Sequence, residues 1–191
     1  MGKVVYDVSM SLDGYIAAAN VRPEAGLGDG GERLHEWVFN SSDPRNRQFL
    51  EVEGSTGAII VGRTTYDLSI PYWRADGPTG SARIPTVVVS HSKPKEVPDG
   101  SVYIFADSIE TAFEKAKEAA GDKDIGVAGA STAQQLIRQG FIDEILVHVV
   151  PVMFGSGVRF FEQTNSEHVA LETVEVIETK EVTHLLFRVV K

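Results

Sequence analysis

Ala58-Ile59-Ile60-Val61-Gly62-Arg63-Thr64-Thr65-Tyr66 opens as a four-residue apolar run, turns at one glycine, and continues into threonines that suit a helix start. A continuous apolar run of that length is what a strand buried on both faces looks like. The segment therefore reads as strand, turn and helix, the repeating unit of an α/β sheet. Gly62, just after Val61, lets the backbone approach a ligand closely. Thr64 and Thr65 offer amides and hydroxyls to phosphate oxygens, and Arg63 adds a cation that can fork onto them. A plain turn capped by threonine would account for the same residues, although it would not need the arginine.

Working outward, Thr86-Val87-Val88-Val89 and Val102-Tyr103-Ile104-Phe105 are further buried-strand runs. Val4-Val5-Tyr6-Asp7-Val8-Ser9-Met10 is a strand bounded by the turn Asp13-Gly14. Ile125-Gly126-Val127-Ala128 is a weaker member, and residues 145–152 are a longer one. Between them, Ile109, Ala112, Phe113, Ala116 and Ala120 fall on one helical face. Asp107 and Glu110 are spaced as a capping box, with Gly121 as the stop. Further helices are expected over 131–139, 32–40, 45–52 and 64–68. After Pro151 the pattern changes: residues 172–178 and 182–190 alternate apolar and polar around Thr179-Lys180-Glu181, which predicts an antiparallel hairpin. The fold class is thus α/β, a mostly parallel central sheet with helices between the strands and a C-terminal antiparallel hairpin. A single domain is expected over 1–191, with residues 20–31 and 76–85 as loops near a site.

Composition narrows the function. The 191 residues carry 18 basic and 27 acidic side chains, a net charge of −9, which repels phosphate backbones and anionic lipid; neither nucleic acid nor membrane is an expected partner. With no cysteine, thiolate nucleophiles, disulfides and cysteine zinc sites are excluded. No apolar run approaches the roughly 20 residues of a membrane span, so the chain is expected to be cytoplasmic. The five histidines show no metal-ligand spacing: His35-Glu36 lacks a second histidine one helical turn away, and His148 and His184 stand alone in strands. No metal is expected.

Two more strand ends share the chemistry of the first. Val127-Ala128-Gly129-Ala130-Ser131-Thr132 leads from a strand into a helix, with Ser131 and Gln134 spaced as a capping box and with Gly129 and Ala130 clearing room beside the backbone. Two such turns suggest a dinucleotide held at the C-terminal edge of a sheet. Val89-Ser90-His91-Ser92-Lys93 offers hydroxyls, an imidazole and an amine suited to an adenosine 2′-phosphate, which favours NADPH over NADH. Gly26-Leu27-Gly28-Asp29-Gly30-Gly31 matches a dinucleotide fingerprint in letters only. It does not join a strand directly to a helix, and a mobile loop closing over a ligand is the better account.

The stretch Ser11-Leu12-Asp13-Gly14-Tyr15-Ile16-Ala17, the Val61-to-Tyr66 turn, Gly129-Ala130-Ser131 and Pro151-Val152-Met153-Phe154-Gly155-Ser156-Gly157 together resemble the dihydrofolate reductase-like superfamily. Within it they are most similar to the reductase domain of riboflavin biosynthesis and its stand-alone relatives. The resemblance spans about residues 3–161. It implies an NADPH-dependent reductase with an eight-stranded sheet flanked on both faces by helices, often a homodimer. It also implies cofactor phosphates at Val61, Gly62, Arg63, Thr64 and Thr65 and at Gly129, Ala130, Ser131 and Thr132. Ser90, His91 and Ser92 would lie beside the adenosine end, and Ile16 and Ala17 beside the nicotinamide. Two departures stand out. Gly31-Glu32-Arg33-Leu34-His35-Glu36-Trp37 lacks the Trp, Pro and carboxylate order of true dihydrofolate reductases. The His-x-Glu…Cys-x-x-Cys set of the bifunctional enzymes' deaminase is also missing.

Hydride transfer needs a proton source besides the cofactor. Asp7 lies mid-strand in register with Ser9 and Ser11, where burial would raise its pKa toward a useful acid. Asp13, by family position, and Glu36 are the other candidates. Trp37, Tyr66 and Trp73 could wall a planar ring, and Tyr72-Trp73-Arg74 is expected in a loop, where a ligand role is favoured for Arg74. The expected function is reduction of a small heterocyclic or sugar-linked substrate, foremost the phosphoribosylaminouracil of riboflavin biosynthesis. The alternatives are a pteridine or folate reductase, a non-catalytic dinucleotide-binding protein, or a dimeric interaction module.

Overall fold

A computed structural model describes residues 2–49, 55–162 and 168–191. In chain order the elements are β1 (Val4–Ser11), β2 (Tyr15–Ala18), α1 (Glu36–Asn40), α2 (Pro44–Arg47), β3 (Thr56–Gly62), α3 (Arg63–Trp73), β4 (Thr86–Val89), β5 (Tyr103–Ala106), α4 (Ile109–Ala120), β6 (Asp124–Ala128), α5 (Ala130–Arg138), β7 (Glu144–Val150), β8 (Gly157–Arg159), β9 (Leu171–Glu178) and β10 (Thr183–Val189). Among the described residues, eight strands form one sheet in the order β5-β4-β3-β6-β1-β7-β10-β9. The pairs from β5 to β7 are parallel, and β10 and β9 add antiparallel at the end. β2 and β8 pair separately. The α/β class, the mostly parallel sheet and the terminal hairpin are as the sequence predicts, and the weak run at 125–128 is the central strand β6.

The two sheet faces bury different helices, because alternate residues along each strand point to opposite sides. Val4, Tyr6, Ala58, Ile60, Ile125, Val127, Ile145 and Val147 pack under α4 and α5 through Ile109, Ala112, Phe113, Ala116, Ala133 and Leu136. On the other face, Val61 and Val88 pack under Tyr66 of α3, while Val150 and Val182 pack under Leu34 and Trp37. Between these two patches runs the row Val61–Ala128–Asp7–Leu146, fixed by the ladders of β3, β6, β1 and β7. Asp7 stands exposed in that row.

Several local expectations need correction. Helix α4 is capped by Ser108, whose hydroxyl accepts from the Thr111 amide at 3.1 Å, because the chain stays extended one residue beyond Asp107. The Ser131–Gln134 box does not form. Gly129, at φ 91°, turns the chain early, so α5 starts at Ala130 and Ser131 is already inside its first turn. Helix α3 continues five residues past 68, because Pro71 falls in its last turns, where the ring is exposed. Tyr72 and Trp73 therefore lie on a helix and not in a loop. The helix over 32–40 divides into a 3-10 turn (Gly31–His35) and α1. Of the helix expected over 45–52, residues 44–47 form α2, and 50–52 lie outside the described residues. The glycine-rich loop folds back on β2: Ala18 N–H donates to Leu27 O, Asp29 N–H donates to Ala19 O, and Arg22 pairs with Asp29 at 2.6 Å.

Candidate active site

The C-terminal ends of β3 and β6 adjoin, with Val61 paired to Ala128, so their two turns meet. They interlock. A Cβ at Gly62 would lie 2.6 Å from the Thr132 hydroxyl, and one at Gly129 would lie 2.5 Å from the Thr65 hydroxyl. Neither α3 nor α5 has a side-chain cap, so the first amides of both helices face the same edge of the sheet with their hydrogens unused by any capping group. Paired helix starts of this kind offer N–H donors and the positive end of two helix dipoles to an anion. Thr64 and Ser131 are exposed there, Thr132 and Ala130 are buried behind them, and Thr65 is half-buried.

Arg63 joins a third strand end to these two. Its Nε donates to both Asp67 oxygens at 2.8 Å, and a terminal nitrogen donates to Ser90 Oγ at 3.1 Å and Ser92 O at 2.8 Å. The cation thus holds the Ser90–His91–Ser92 turn against α3, with His91 exposed. Its expected role as a free fork for phosphate becomes a bracing role, with part of the guanidinium exposed.

Of the three proton-donor candidates, only Asp7 opens on this edge. It is not in an apolar setting: its side chain is 41% exposed, and Oδ1 lies 2.8 Å from His148 Nε2. Asp13 is a loop clamp. It accepts from Ser11 Oγ at 2.6 Å and from the Phe154 and Gly155 amides at 3.1 and 2.7 Å. These bonds, the Ser11 hydroxyl first, hold its carboxyl below the usual carboxylate range, the wrong direction for an acid. Asp13 thereby ties the 11–17 and 151–157 motifs together, and the Tyr15 hydroxyl adds a bond to Gly155 O at 3.2 Å. Glu36 points outward in an exposed pair with Arg33 at 2.8 Å.

The aromatic wall is not assembled. Tyr66 is buried edge-on against Tyr103 and Phe105, and Trp73 packs in the same cluster, since Tyr66, Ile70 and Trp73 share one face of α3. Arg74 is exposed at the helix end, where its carbonyl accepts from the Tyr103 hydroxyl. Trp37 lies across the sheet, its indole N–H donating to Ser9 Oγ at 3.1 Å. Ile16 is half-buried against the main core, and Ala17 is buried beside it.

What sequence reasoning missed is the partner of Asp7. His148 and His184 do not stand alone: β7 and β10 pair them directly, and their Nδ1 atoms lie 2.6 Å apart. His184 Nε2 continues to Asn46 Oδ1 at 2.8 Å. Trp37 packs on both imidazoles, at 4.6 and 5.1 Å, and Phe49 stacks on His184 at 4.1 Å. The available signal was a histidine inside the apolar run 145–150, since a polar group buried there needs a partner. Among the described residues, no three metal-ligating side chains gather at one point. No helix among them is long and apolar enough to cross a membrane.

Burial, and then the His148 ring, push the His184 pKa from 6.5 down to about 4. The fold thus favours the neutral ring. That stabilisation is complete above about pH 6.5 and is lost as the pH falls through about 4. The urea midpoint is expected to fall over that window, with a shallower fall in His184→Gln; an equal fall in both would place the titrating group elsewhere.

The family model described as the RibD C-terminal domain matches residues 2–185. A structure from Shewanella sp. PV-4, whose name refers to riboflavin biosynthesis, aligns over all of both chains at 21% identity and TM-score 0.71. The Thermotoga maritima diaminohydroxyphosphoribosylaminopyrimidine deaminase/5-amino-6-(5-phosphoribosylamino)uracil reductase aligns over 99% of this chain and 57% of its own, at 15% identity and TM-score 0.68. Enterococcus faecalis dihydrofolate reductase, complexed with NADP(H), aligns over 98% and 96% at 14% identity and TM-score 0.58. At these identities the likeness establishes the dihydrofolate reductase-like fold.

Proposed function

The chain belongs to the RibD C-terminal domain family, and from that premise we propose that it is an NADPH-dependent reductase of a small heterocyclic or sugar-linked substrate. The leading substrate is a phosphoribosylaminouracil, reduced at its ribose to a ribityl chain; the Thermotoga neighbour carries that reductase activity in its name. The observation that carries the reading is the meeting of two uncapped helix starts, at Gly62 and Gly129, one residue beyond a row that contains an exposed carboxylate.

The residues fit the cofactor. Both glycines sit where a Cβ would collide with a neighbouring turn, so the two backbones approach closely there. The amides of residues 63–65 and 130–132 would hold the phosphates, with the Thr64 and Ser131 hydroxyls beside them. Ser90, His91 and Ser92, braced by Arg63, would receive the 2′-phosphate, and Ile16 and Ala17 would border the nicotinamide. When bound, the cofactor supplies a hydride. Asp7 then supplies the proton to the substrate, placed by β1 at the middle of the sheet. The reading includes a homodimer, for which the exposed Leu171, Val174 and Val176 of β9 offer apolar surface.

Calorimetric titration tests the cofactor assignment. NADPH is expected to bind more tightly than NADH. In Arg63→Ala the turn at residues 90–92 loses its brace, and NADPH affinity should fall about tenfold, with NADH affected less. Equal affinity for both nucleotides in both proteins would remove the 2′-phosphate from residues 90–92.

A further inference from the structure

The orientation of the Asn46 amide decides where the protons of the buried histidine pair lie. Asn46 Nδ2 donates to Ser41 Oγ at 2.8 Å, which leaves Oδ1 to accept from His184 Nε2 at 2.8 Å. His184 therefore carries its hydrogen on Nε2, and a neutral ring then presents only a lone pair at Nδ1. The 2.6 Å contact between the two Nδ1 atoms needs one hydrogen, which must belong to His148. A neutral His148 protonated on Nδ1 has a bare Nε2, and that atom faces Asp7 Oδ1 at 2.8 Å. Two lone pairs do not hold that distance. The contact closes only when Asp7 and His148 share one additional proton.

We propose that Asn46, His184 and His148 form a buried positioning relay that loads a transferable proton onto Asp7, the proton donor of the reaction. This inference rests on the reductase reading. Among the described residues burial makes the relay one-ended: Asn46, His148 and His184 are each at most 2% exposed, and Asp7 is the exposed member where protons enter and leave. Among the described residues, the other titratable groups facing it are His35, from the 3-10 turn, and Asp43, the cap of α2. Burial, and then the neighbouring His148 ring, push the His35 pKa down, while the Asp43 carboxylate opposes the fall at His184. In the step itself the Asp7 O–H bond breaks, its electron pair stays on the oxygen, and the hydrogen bonds to the substrate atom left electron-rich by the hydride. The carboxylate then faces the bare His148 Nε2, and a proton from water at the cleft restores the shared bond.

Nitrogen-15 NMR of the nucleotide-free protein tests the polarity, with His148→Gln and His184→Gln assigning the signals. His184 is expected to carry its hydrogen on Nε2 with Nδ1 bare, and His148 to carry one on Nδ1. The opposite pattern, His184 protonated on Nδ1 and His148 only on Nε2, would overturn the relay whether or not the protein is a reductase. Asn46→Asp keeps the side-chain volume but charges His184 and so puts a hydrogen on its Nδ1. With NADPH and the phosphoribosylaminouracil, kcat is expected to fall about tenfold with KM unchanged. An unchanged kcat alongside the reversed tautomers would also overturn the proposal. Absence of any turnover in the native protein refutes the reductase reading and leaves the NMR result to decide the tautomers.

Discussion

Asp7→Asn is expected to lower kcat by about 10²–10⁴, the usual worth of a positioned general acid, with NADPH affinity unchanged. The substitution isolates the proton. Asparagine has the same shape, and its amide can donate to His148 Nε2 across the 2.8 Å that Asp7 now spans, so the buried pair keeps its partner. Asp7 is one row away from the glycine turns, so nucleotide binding has no reason to change. Steady-state kinetics with calorimetry measure the two effects separately. A kcat within twofold of the native value would remove Asp7 from the chemistry. Neither rival carboxylate is well placed to take over: Asp13 is held ionised by three donors, and Glu36 faces outward beside Arg33.

The second large effect is expected at Gly129. At φ 91° and ψ 131° its backbone suits glycine, and a Cβ would meet the Thr65 hydroxyl at 2.5 Å. Gly129→Ala therefore strains the turn and pushes α5 away from α3 at the edge where phosphates are proposed to sit. Stability is expected to fall by about 1–3 kcal/mol, and NADPH affinity by tenfold or more. Gly140→Ala is the control: its φ is also positive, at 69°, but a Cβ there meets nothing within 4 Å. That variant should lose some stability and no affinity. Equal affinity losses in both variants would mean that the interlocked turns have no special part in binding.

Much of this arrangement was legible in the residues. Buried parallel strands announce themselves as unbroken apolar runs, and the switch to alternation after Pro151 marks the antiparallel end of the sheet. The Gly62 and Gly129 turns could be read because strand, glycine and helix start are consecutive in the chain. That they interlock depends on β3 lying beside β6, which no local pattern states. The histidine pair was hidden for the same reason. His148 and His184 are 36 residues apart, and Asn46 is 138 residues from His184. Only the β7–β10 register brings them together. The aromatic wall failed because α3 runs on through Pro71, which commits Tyr66 and Trp73 to the core. The caps shifted one residue later for α4, to Ser108, and two residues earlier for α5, to Gly129, because backbone conformation and not side-chain spacing decides the helix start.

The central claim is that reduction takes place at the sheet edge in front of Asp7. Its most direct test is the fate of a label: native protein is incubated with NADPH deuterated at the transferring carbon and with the phosphoribosylaminouracil, and the product is weighed by mass spectrometry. One deuterium per ribityl chain is expected, with product formation suppressed in Asp7→Asn. Nucleotide that binds at the glycine turns but yields no labelled product from this substrate would contradict the assignment of the reaction, and absence of nucleotide binding would contradict the reductase itself.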